Sequence, residues 1–323
     1  MINMIELAVA SGKGGVGKST IAASILVELS KYGRNLIAVD ADADAPNLHL
    51  IINVNRWIKE EKYYGSSLAE INSLKCIRCG ACMDICPFDA VYRRNDEYVI
   101  NQVVCEGCLA CKLVCPVEDA IIRRSVDAGV IKVGETKYGF PIISALLNPG
   151  RPNTGKLVTR EREITKELVK KDTIVLIDSA AGIGCQVVAS LVGVDIVILV
   201  AEPTPTSFSD LKRIHRLTRH FMQPTCLIIN KYDINMPITN EILSYAKQNN
   251  MYLLGMIPYD EAIPKSIVLT KPVIEQYPDS KASKELKEIA REVNSILDNL
   301  NDWLSKYKPK KPEPYKPIII KPK

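Results

Sequence analysis

The sequence predicts an α/β fold in which a mostly parallel sheet is flanked by helices and interrupted by a small α+β module. Three observations lead to this prediction. Apolar runs of strand length, such as 5–10, 35–39 and 173–177, alternate with stretches of helical spacing. A glycine-rich loop joins the first run to the first helix, and a cysteine-rich repeat interrupts the alternation. A chain of 323 residues is long enough for a large domain and an additional module.

The glycine-rich loop has the composition of a phosphate-binding loop. Its residues are Ser11, Gly12, Lys13, Gly14, Gly15, Val16, Gly17, Lys18, Ser19 and Thr20. The spacing of Gly12, Gly17, Lys18 and Ser19 fits the pattern G-x-x-x-x-G-K-[ST]. Glycine lets backbone N–H groups converge on an anion at the helix N-terminus, while Lys18 reaches the outer phosphates and the Ser19 hydroxyl can hold Mg²⁺. The loop therefore predicts a P-loop NTPase.

A second lysine in the loop narrows the class of NTPase. Lys13, followed by Gly14 and Gly15, resembles the deviant phosphate loop of the MinD/ParA/Mrp and nitrogenase iron protein superfamily, the SIMIBI class. This resemblance implies that the loop from Gly12 to Thr20 binds ATP and that Lys13 and Lys18 are catalytic. It also implies a homodimer, in which Lys13 reaches the partner's nucleotide. A solvated lysine is the alternative for Lys13.

Three aspartates follow predicted strands. Asp40 and Asp42 come after the second strand, and Asp178 comes after a later one. Open α/β sheets bind ligands at this edge of the sheet. The resemblance implies that Asp42 positions the attacking water and that Asp40 and Asp178, with Ser19, organise Mg²⁺. For Asp40 and Asp42 a capping or solvated role is the alternative.

The base of the nucleotide has its own candidate residues. The run Asn230-Lys231-Tyr232-Asp233 resembles the guanine-reading motif of GTPases, whereas in MinD-like proteins an Asn at this point meets the adenine edge. The same resemblance places Pro258 and Tyr259 near the base. We expect ATP by analogy, because the spacing alone does not decide between the two nucleotides.

The cysteines form an internal repeat. Eight of the ten lie in two copies of C-x₂-C-x₂-C-x₃-C-P that start 29 residues apart, at Cys76 and Cys105. This is the run of bacterial two-cluster ferredoxins, in which the last Cys of each copy ligates the other cluster. The expected ligands of two 4Fe-4S clusters are Cys76, Cys79, Cys82 and Cys115 for the first and Cys86, Cys105, Cys108 and Cys111 for the second. Zinc is the competing metal.

The repeat divides the chain into predicted domains. Residues 1–56 and 129–305 form a discontinuous MinD-like ATPase domain, residues 57–128 an inserted ferredoxin-like module, and residues 306–323 a Lys/Pro-rich tail. So short a module cannot build a sufficient core, so we expect it to fold around its metal. Outside the repeat, Cys226 is predicted in the core. Cys185 is interpreted as a packed residue, with a redox thiol or bridging ligand as the alternative.

Charge and hydropathy argue against a nucleic-acid-binding, a membrane-spanning and a secreted protein. The net charge is +5, but the seven lysines and one glutamate after residue 305 give the tail +6, so the remainder carries −1. Basicity confined to a tail does not predict a nucleic-acid interface. No apolar run reaches the length of a membrane span or forms a signal peptide, and a proline-rich tail cannot be the membrane helix of MinD. We expect a cytoplasmic protein without membrane insertion.

Together these features resemble MinD/Mrp-like ATPases that carry an inserted two-cluster ferredoxin domain. The resemblance implies an ATP-gated homodimer that couples hydrolysis to electron transfer through the clusters, in metallocofactor or iron-sulfur protein maturation. Its partner would be a redox protein or an apo-metalloprotein acceptor. The alternatives are a carrier that delivers clusters to apo-proteins and a MinD-like positioning ATPase with structural clusters.

Overall fold

The computed structural model describes residues 4–150 and 154–309. The strands are β1 (Met4–Ser11), β2 (Asn35–Ala41), β3 (Val54–Tyr63), β4 (Ser66–Ile71), β5 (Val91–Arg94), β6 (Glu97–Ile100), β7 (Ile121–Val126), β8 (Gly129–Thr136), β9 (Pro141–Leu147), β10 (Thr173–Ala181), β11 (Ile196–Ala201), β12 (Thr225–Asn230) and β13 (Tyr252–Ile257). The helices are α1 (Lys18–Lys31), α2 (Leu48–Ile51), α3 (Ala81–Asp84), α4 (Ala110–Leu113), α5 (Thr154–Leu168), α6 (Cys185–Leu191), α7 (Pro205–His220), α8 (Met236–Gln248), α9 (Ala262–Val268), α10 (Val273–Gln276), α11 (Lys281–Asp298) and α12 (Leu300–Tyr307).

Nine of these strands form one sheet, in the order β13-β12-β11-β1-β10-β2-β9-β8-β3. The seven strands from β13 to β9 pair in parallel, with β1 and β10 in the middle. This confirms the predicted α/β class with a mostly parallel central sheet. The register sets Asp178 opposite both Val9 and Asp40, so the ends of β1, β2 and β10 meet at one point of the sheet edge.

Helices cover both faces of the sheet. On one face α1 and α11 pack on the strands through side chains such as Ile25, Leu26 and Leu286. On the other face α5, α6, α7 and α8 pack through side chains such as Leu157 and Ile214. Because both faces are buried, the central strands are continuously apolar. That continuity is why the sequence predicts them well.

The antiparallel end of the sheet differs from the prediction. The short apolar stretches within residues 129–149, which the sequence predicts as strands or a hairpin, form the antiparallel pair β8 and β9. Residues 57–63, which the sequence predicts as the start of the module, form part of β3, and β3 pairs with β8 as the last strand of the sheet. Its residues 55–60 are exposed and mostly polar, so they give no apolar alternation from which a strand could be predicted. The domain boundaries themselves stay a prediction.

The cysteine-rich segment between β3 and β8 forms two small antiparallel sheets. One pairs β4 with β7 and the other pairs β5 with β6. The short helices α3 and α4 each follow a cysteine loop. A cluster of five buried side chains in this segment includes Cys82 and Cys111, and Leu68, Ala90 and Ala120 of the same segment are buried as well.

Helical spacing in the sequence predicts helices over 161–170, 209–220 and 283–304, and all three depart from these bounds. Helices α5 and α7 begin earlier than 161 and 209. At α7 the Thr204 side chain accepts a hydrogen bond from Ser207 N and a proline takes the first helical position, a combination that fixes a helix start. The predicted helix 283–304 is divided at Asn299 into α11 and α12.

Helix α12 extends to Tyr307, so the predicted tail from residue 306 begins inside a helix. Residues 310–323 of that tail lie outside the described residues. Among the residues that the structure does describe, none of the helices is both long and apolar enough to cross a membrane.

Candidate functional site

A cavity of about 380 Å³ opens at the edge of the sheet where β1, β2 and β10 end. The phosphate loop forms one side of it, and α2 and α9 form the other. The lining residues are Gly14, Gly15, Gly17, Lys18, Ser19, Thr20, Asp42, Asn47, Leu50, Ile51, Ala181, Ile267 and Thr270. The sequence predicts the loop side of the cavity and Asp42, but not the residues of α2 and α9.

The phosphate loop depends on Gly17. This residue has a φ of 94°, in the left-handed region that glycine tolerates best. A Cβ at this position would also lie 2.6 Å from Asn230 Nδ2. Helix α1 begins at the next residue, so its free N–H groups face the cavity, as anion binding requires.

Lys18 lies at the floor of this loop and is buried. Burial lowers the pKa of its ammonium group, and the nearby carboxylates of Asp178 and Asp42 act in the opposite direction. A buried cation beside two acids and a helix N-terminus is placed to bind an anion such as a phosphate.

Asp40 and Asp178 lie side by side at the ends of β2 and β10, and both are buried. Burial, followed by the charge of Asp40, raises the pKa of Asp178 to about 7. Burial also raises the pKa of Asp40, while hydrogen bonding and the proximity of His49 oppose that shift. The Oδ1 atom of each aspartate is buried without a hydrogen-bond partner, while the Asp178 carboxylate bonds the Ser19 side chain. Unpaired carboxylate oxygens beside a hydroxyl fit a site for Mg²⁺.

Asp42 lies at the wall of the cavity and is half-buried. Burial, followed by the charge of Asp40, raises the pKa of its carboxyl group, and Lys18 acts in the opposite direction. The structure therefore brings Asp42, Lys18 and the two buried aspartates into one electrostatic cluster. That Asp42 positions the attacking water stays a prediction.

Lys13 is held within its own chain. Its Nζ atom lies 3.4 Å from Thr206 Oγ1 and 3.6 Å from Glu202 Oε1. The other oxygen of Glu202 lies 3.1 Å from Lys231 Nζ. Lys13 is not among the residues that line the cavity, so a contact with a partner's nucleotide requires it to leave Glu202. The run from Glu202 to Thr206 resembles the family's loop beside the nucleotide, but the sequence does not predict its contact with Lys13.

The three residues predicted to contact the base do not line the cavity. The Asn230 side chain is buried, where its Nδ2 donates to Val16 O at 2.9 Å and its Oδ1 accepts from Lys231 N at 3.0 Å. Asn230 thus braces the phosphate loop. Pro258 is half-buried, and Tyr259 is exposed with its backbone N donating to Asp233 Oδ1. Their contact with a base stays a prediction.

The eight repeat cysteines line two further small cavities, four in each. The first is lined by Cys76, Cys79, Cys82 and Cys115, and the second by Cys86, Cys105, Cys108 and Cys111. Burial raises the pKa of the Cys82 thiol and raises that of Cys111 to about 11. Within the described residues, no three His, Cys, Asp or Glu side chains converge closely enough to hold a single metal ion.

The two remaining cysteines lie apart from both cavities. Cys226 is buried within β12, as predicted. Cys185 is exposed at the start of α6, so its interpretation as a packed residue is wrong. Glycine at position 155 leaves room for it, since a Cβ there would lie 3.2 Å from the Cys185 Cβ.

Comparison with known families decides the class of protein. A family profile described as CobQ/CobB/MinD/ParA nucleotide binding domain matches residues 7–273. The chain belongs to this family. It is a MinD/ParA-type P-loop ATPase, and the cavity described above lies where its phosphate loop opens.

Known proteins resemble this MinD/ParA-type ATPase over most of its length. An uncharacterized protein of Methanocaldococcus jannaschii is 32% identical over 294 residues, which cover 91% of this chain and 98% of that protein. An uncharacterized ATP-binding protein of the same organism is 25% identical over 287 residues, covering 88% and 86%. The septum site-determining protein MinD of Pyrococcus horikoshii, complexed with Mg-ADP, matches with a TM-score of 0.56 at 19% identity, covering 91% and 97%. That last likeness shows the fold alone.

Proposed function

We propose that this ATPase is an iron-sulfur protein that uses an ATP-gated homodimer to control electron transfer through two 4Fe-4S clusters, in the maturation of metallocofactors or iron-sulfur proteins. The observation that carries this proposal is the pair of four-cysteine cavities. Each is lined by the set of cysteines expected for one cluster, with three from one copy of the repeat and the fourth from the other.

The residues present fit two clusters. The ligand sulfurs of a 4Fe-4S cubane lie farther apart than those around a single metal ion. Four cysteines around a small cavity therefore fit a cluster. Cys82 and Cys111 are part of the small core of this segment, together with Ala69, Val91 and Ile121. A bound cluster would supply one-electron transfer, and its ligands would complete that core.

The nucleotide site of the ATPase domain controls the electron transfer. In this proposal Lys18 and the loop amides bind the phosphates of ATP, and Ser19, Asp40 and Asp178 hold Mg²⁺, directly or through water. Asp42 orients the attacking water. Lys13 exchanges Glu202 for the partner's nucleotide when the dimer forms. Pro258 and Tyr259 contact the adenine, while Asn230 keeps its hydrogen bond to the phosphate loop.

One observation favours the carrier function as a second candidate. Cys79 and Cys108, which occupy equivalent places in the two copies, are exposed. One exposed ligand per cluster gives an acceptor thiol a point of attack, because ligand exchange requires access to the sulfur. Cluster transfer to an apo-ferredoxin would distinguish a carrier from an electron-transfer protein.

Anaerobic reconstitution with iron and sulfide tests the proposal. We expect about eight iron atoms per chain and the broad visible absorbance of 4Fe-4S clusters, with loss of one cluster in Cys108→Ser. Cys185→Ser is the matched control, since that exposed cysteine lies in neither set, and it should retain both clusters. A protein that takes up zinc but no iron would contradict the proposal.

A further inference from the structure

We propose that His49 and Trp57 connect the nucleotide cavity to the cysteine-rich segment, so that a change at the cavity moves the strands that carry that segment. We call this pair the His49–Trp57 contact. The inference deepens the proposed function and rests on it for its biological use, although the contact can be tested without any cluster.

The first half of the connection is α2. Its first backbone N–H, on Leu48, donates to Asp40 Oδ2 at 2.9 Å, and His49 Nδ1 lies 3.7 Å from the same oxygen. The next two residues, Leu50 and Ile51, line the nucleotide cavity. One short helix therefore touches both the cavity and the buried aspartate beside it.

The second half of the connection is β3. The rings of His49 and Trp57 have centroids 5.7 Å apart and are tilted by 58°. Lys132 Nζ, from β8, lies 5.9 Å from the centroid of the same indole. Strand β3 leads into the cysteine-rich segment and β8 leads out of it. The Trp57 side chain, carried by β3, thus contacts α2 through His49 and β8 through Lys132.

The surroundings allow this contact to shift. His49 Nδ1 is buried and has no hydrogen-bond partner, so packing holds the ring beside Asp40. A cavity of about 150 Å³ lies beside the two rings, with Pro46, Lys132 and Leu146 among its lining residues. A side chain next to empty space and without a hydrogen bond can move when a nucleotide fills the cavity on the other side of α2. Trp57 would then follow.

Trp57 also reports on this movement. The chain has two tryptophans, and the other, Trp303, is buried in α12. Trp303 Nε1 has no hydrogen-bond partner, so Trp303→Phe removes no hydrogen bond and leaves Trp57 as the single tryptophan, which can be excited selectively over the tyrosines. In this background we expect ATP with Mg²⁺ to change the fluorescence of Trp57. Adding His49→Ala should abolish that change while nucleotide binding, measured by equilibrium dialysis, is retained.

The fluorescence test has a control variant and a replacement for His49→Ala. His220→Ala alters another histidine, which is exposed at the end of α7, and it should leave the response intact. If His49→Ala does not fold, as judged by circular dichroism, His49→Gln serves for the same measurement. The proposal is overturned if the single-tryptophan protein binds ATP without a change in emission, or if the change survives the loss of His49.

The fluorescence test of the His49–Trp57 contact does not depend on the clusters. The fluorescence experiment can be run on protein without iron, provided that its nucleotide half is folded, so a failure of cluster assembly would contradict the proposed function and leave the His49–Trp57 contact standing. Conversely, the protein could assemble two clusters while the fluorescence of Trp57 does not respond to ATP. That result would support the proposed cofactors and contradict the proposed connection.

Discussion

The nucleotide-binding sheet and the cysteine-rich segment differ in what stabilises their folded structure. The sheet buries apolar side chains on both faces under helices, whereas the described residues of the segment contribute a small core cluster of five, two of them candidate metal ligands. Apolar burial stabilises in proportion to the area removed from water. The sheet can therefore fold by its own side chains, and we expect the segment to depend on what its cysteines bind.

The largest expected effect comes from removing a buried ligand. Cys111→Ser should cost the reconstituted protein one cluster and unfold the cysteine-rich segment, because Cys111 belongs to the small core of the segment and a cluster would complete that core. Hydrogen exchange should show loss of protection in residues 66–126 and little change in β1 and β10. Protection that persists throughout the segment would show that it folds without its ligands.

A substitution that shortens a buried side chain of the sheet should lower stability without changing the iron content. Leu26 is fully buried in α1, and Leu26→Ala should lower the free energy of unfolding by about 2–5 kcal/mol. Denaturant unfolding followed by circular dichroism measures this loss, while the iron content under native conditions should not change. If the iron were lost together with stability, the two regions would not be independent.

A buried acid in the sheet half gives a pH dependence. Glu161 in α5 is fully buried, neither carboxylate oxygen has a hydrogen-bond partner, and burial, followed by the charge of Asp40, raises its pKa well above the ordinary value. The folded state thus binds a proton that the unfolded state releases above about pH 4.3, so this group makes stability fall as pH rises from there toward its folded pKa.

Glu161→Gln should remove that contribution. We expect the variant to lose less stability between pH 5 and pH 8 than the parent protein, on the order of 1 kcal/mol or more. Thermal unfolding across this range measures the difference. Glu163→Gln, an exposed residue on the same helix, is the control and should follow the parent. Identical slopes for Glu161→Gln and the parent would contradict the assignment.

The smallest expected effect concerns Lys13. Glu202→Gln weakens the ion pair that holds Lys13, so ATP-dependent dimerisation should become about 1.5- to fivefold tighter, as expected for a pair worth about 0.2–1 kcal/mol. Sedimentation velocity with ATP and Mg²⁺ measures the association. Glu28→Gln breaks a comparable pair with Lys31 on α1 and should leave dimerisation unchanged. Weaker association in Glu202→Gln would be evidence against this role.

The sequence predicts those parts of the molecule whose signals are local. The buried strands, the phosphate loop and the two cysteine sets all follow from runs, spacings or repeats within short stretches. The contacts that it misses join distant residues. Lys13 meets Thr206 across 193 positions, and α9 reaches the cavity from the far end of the chain.

Strand β3 shows a second kind of limit. Exposed on both faces over most of its length, it carries charged residues such as Arg56 and Lys59 and has no apolar face that a pattern could detect. Its pairing with β8 determines its structure, and that pairing is visible only in three dimensions. Position in the sheet therefore overrides the local preference of these residues.

The measurement that tests the coupling most directly is an anaerobic redox titration of the reconstituted protein with and without ATP and Mg²⁺. An Asp42→Asn variant, expected to bind ATP without hydrolysing it, keeps the nucleotide state constant. The proposed function predicts a shift of the cluster potential near 59 mV, which corresponds to tenfold in a one-electron equilibrium. Identical potentials, together with unchanged rates of electron transfer to an artificial acceptor, would contradict it.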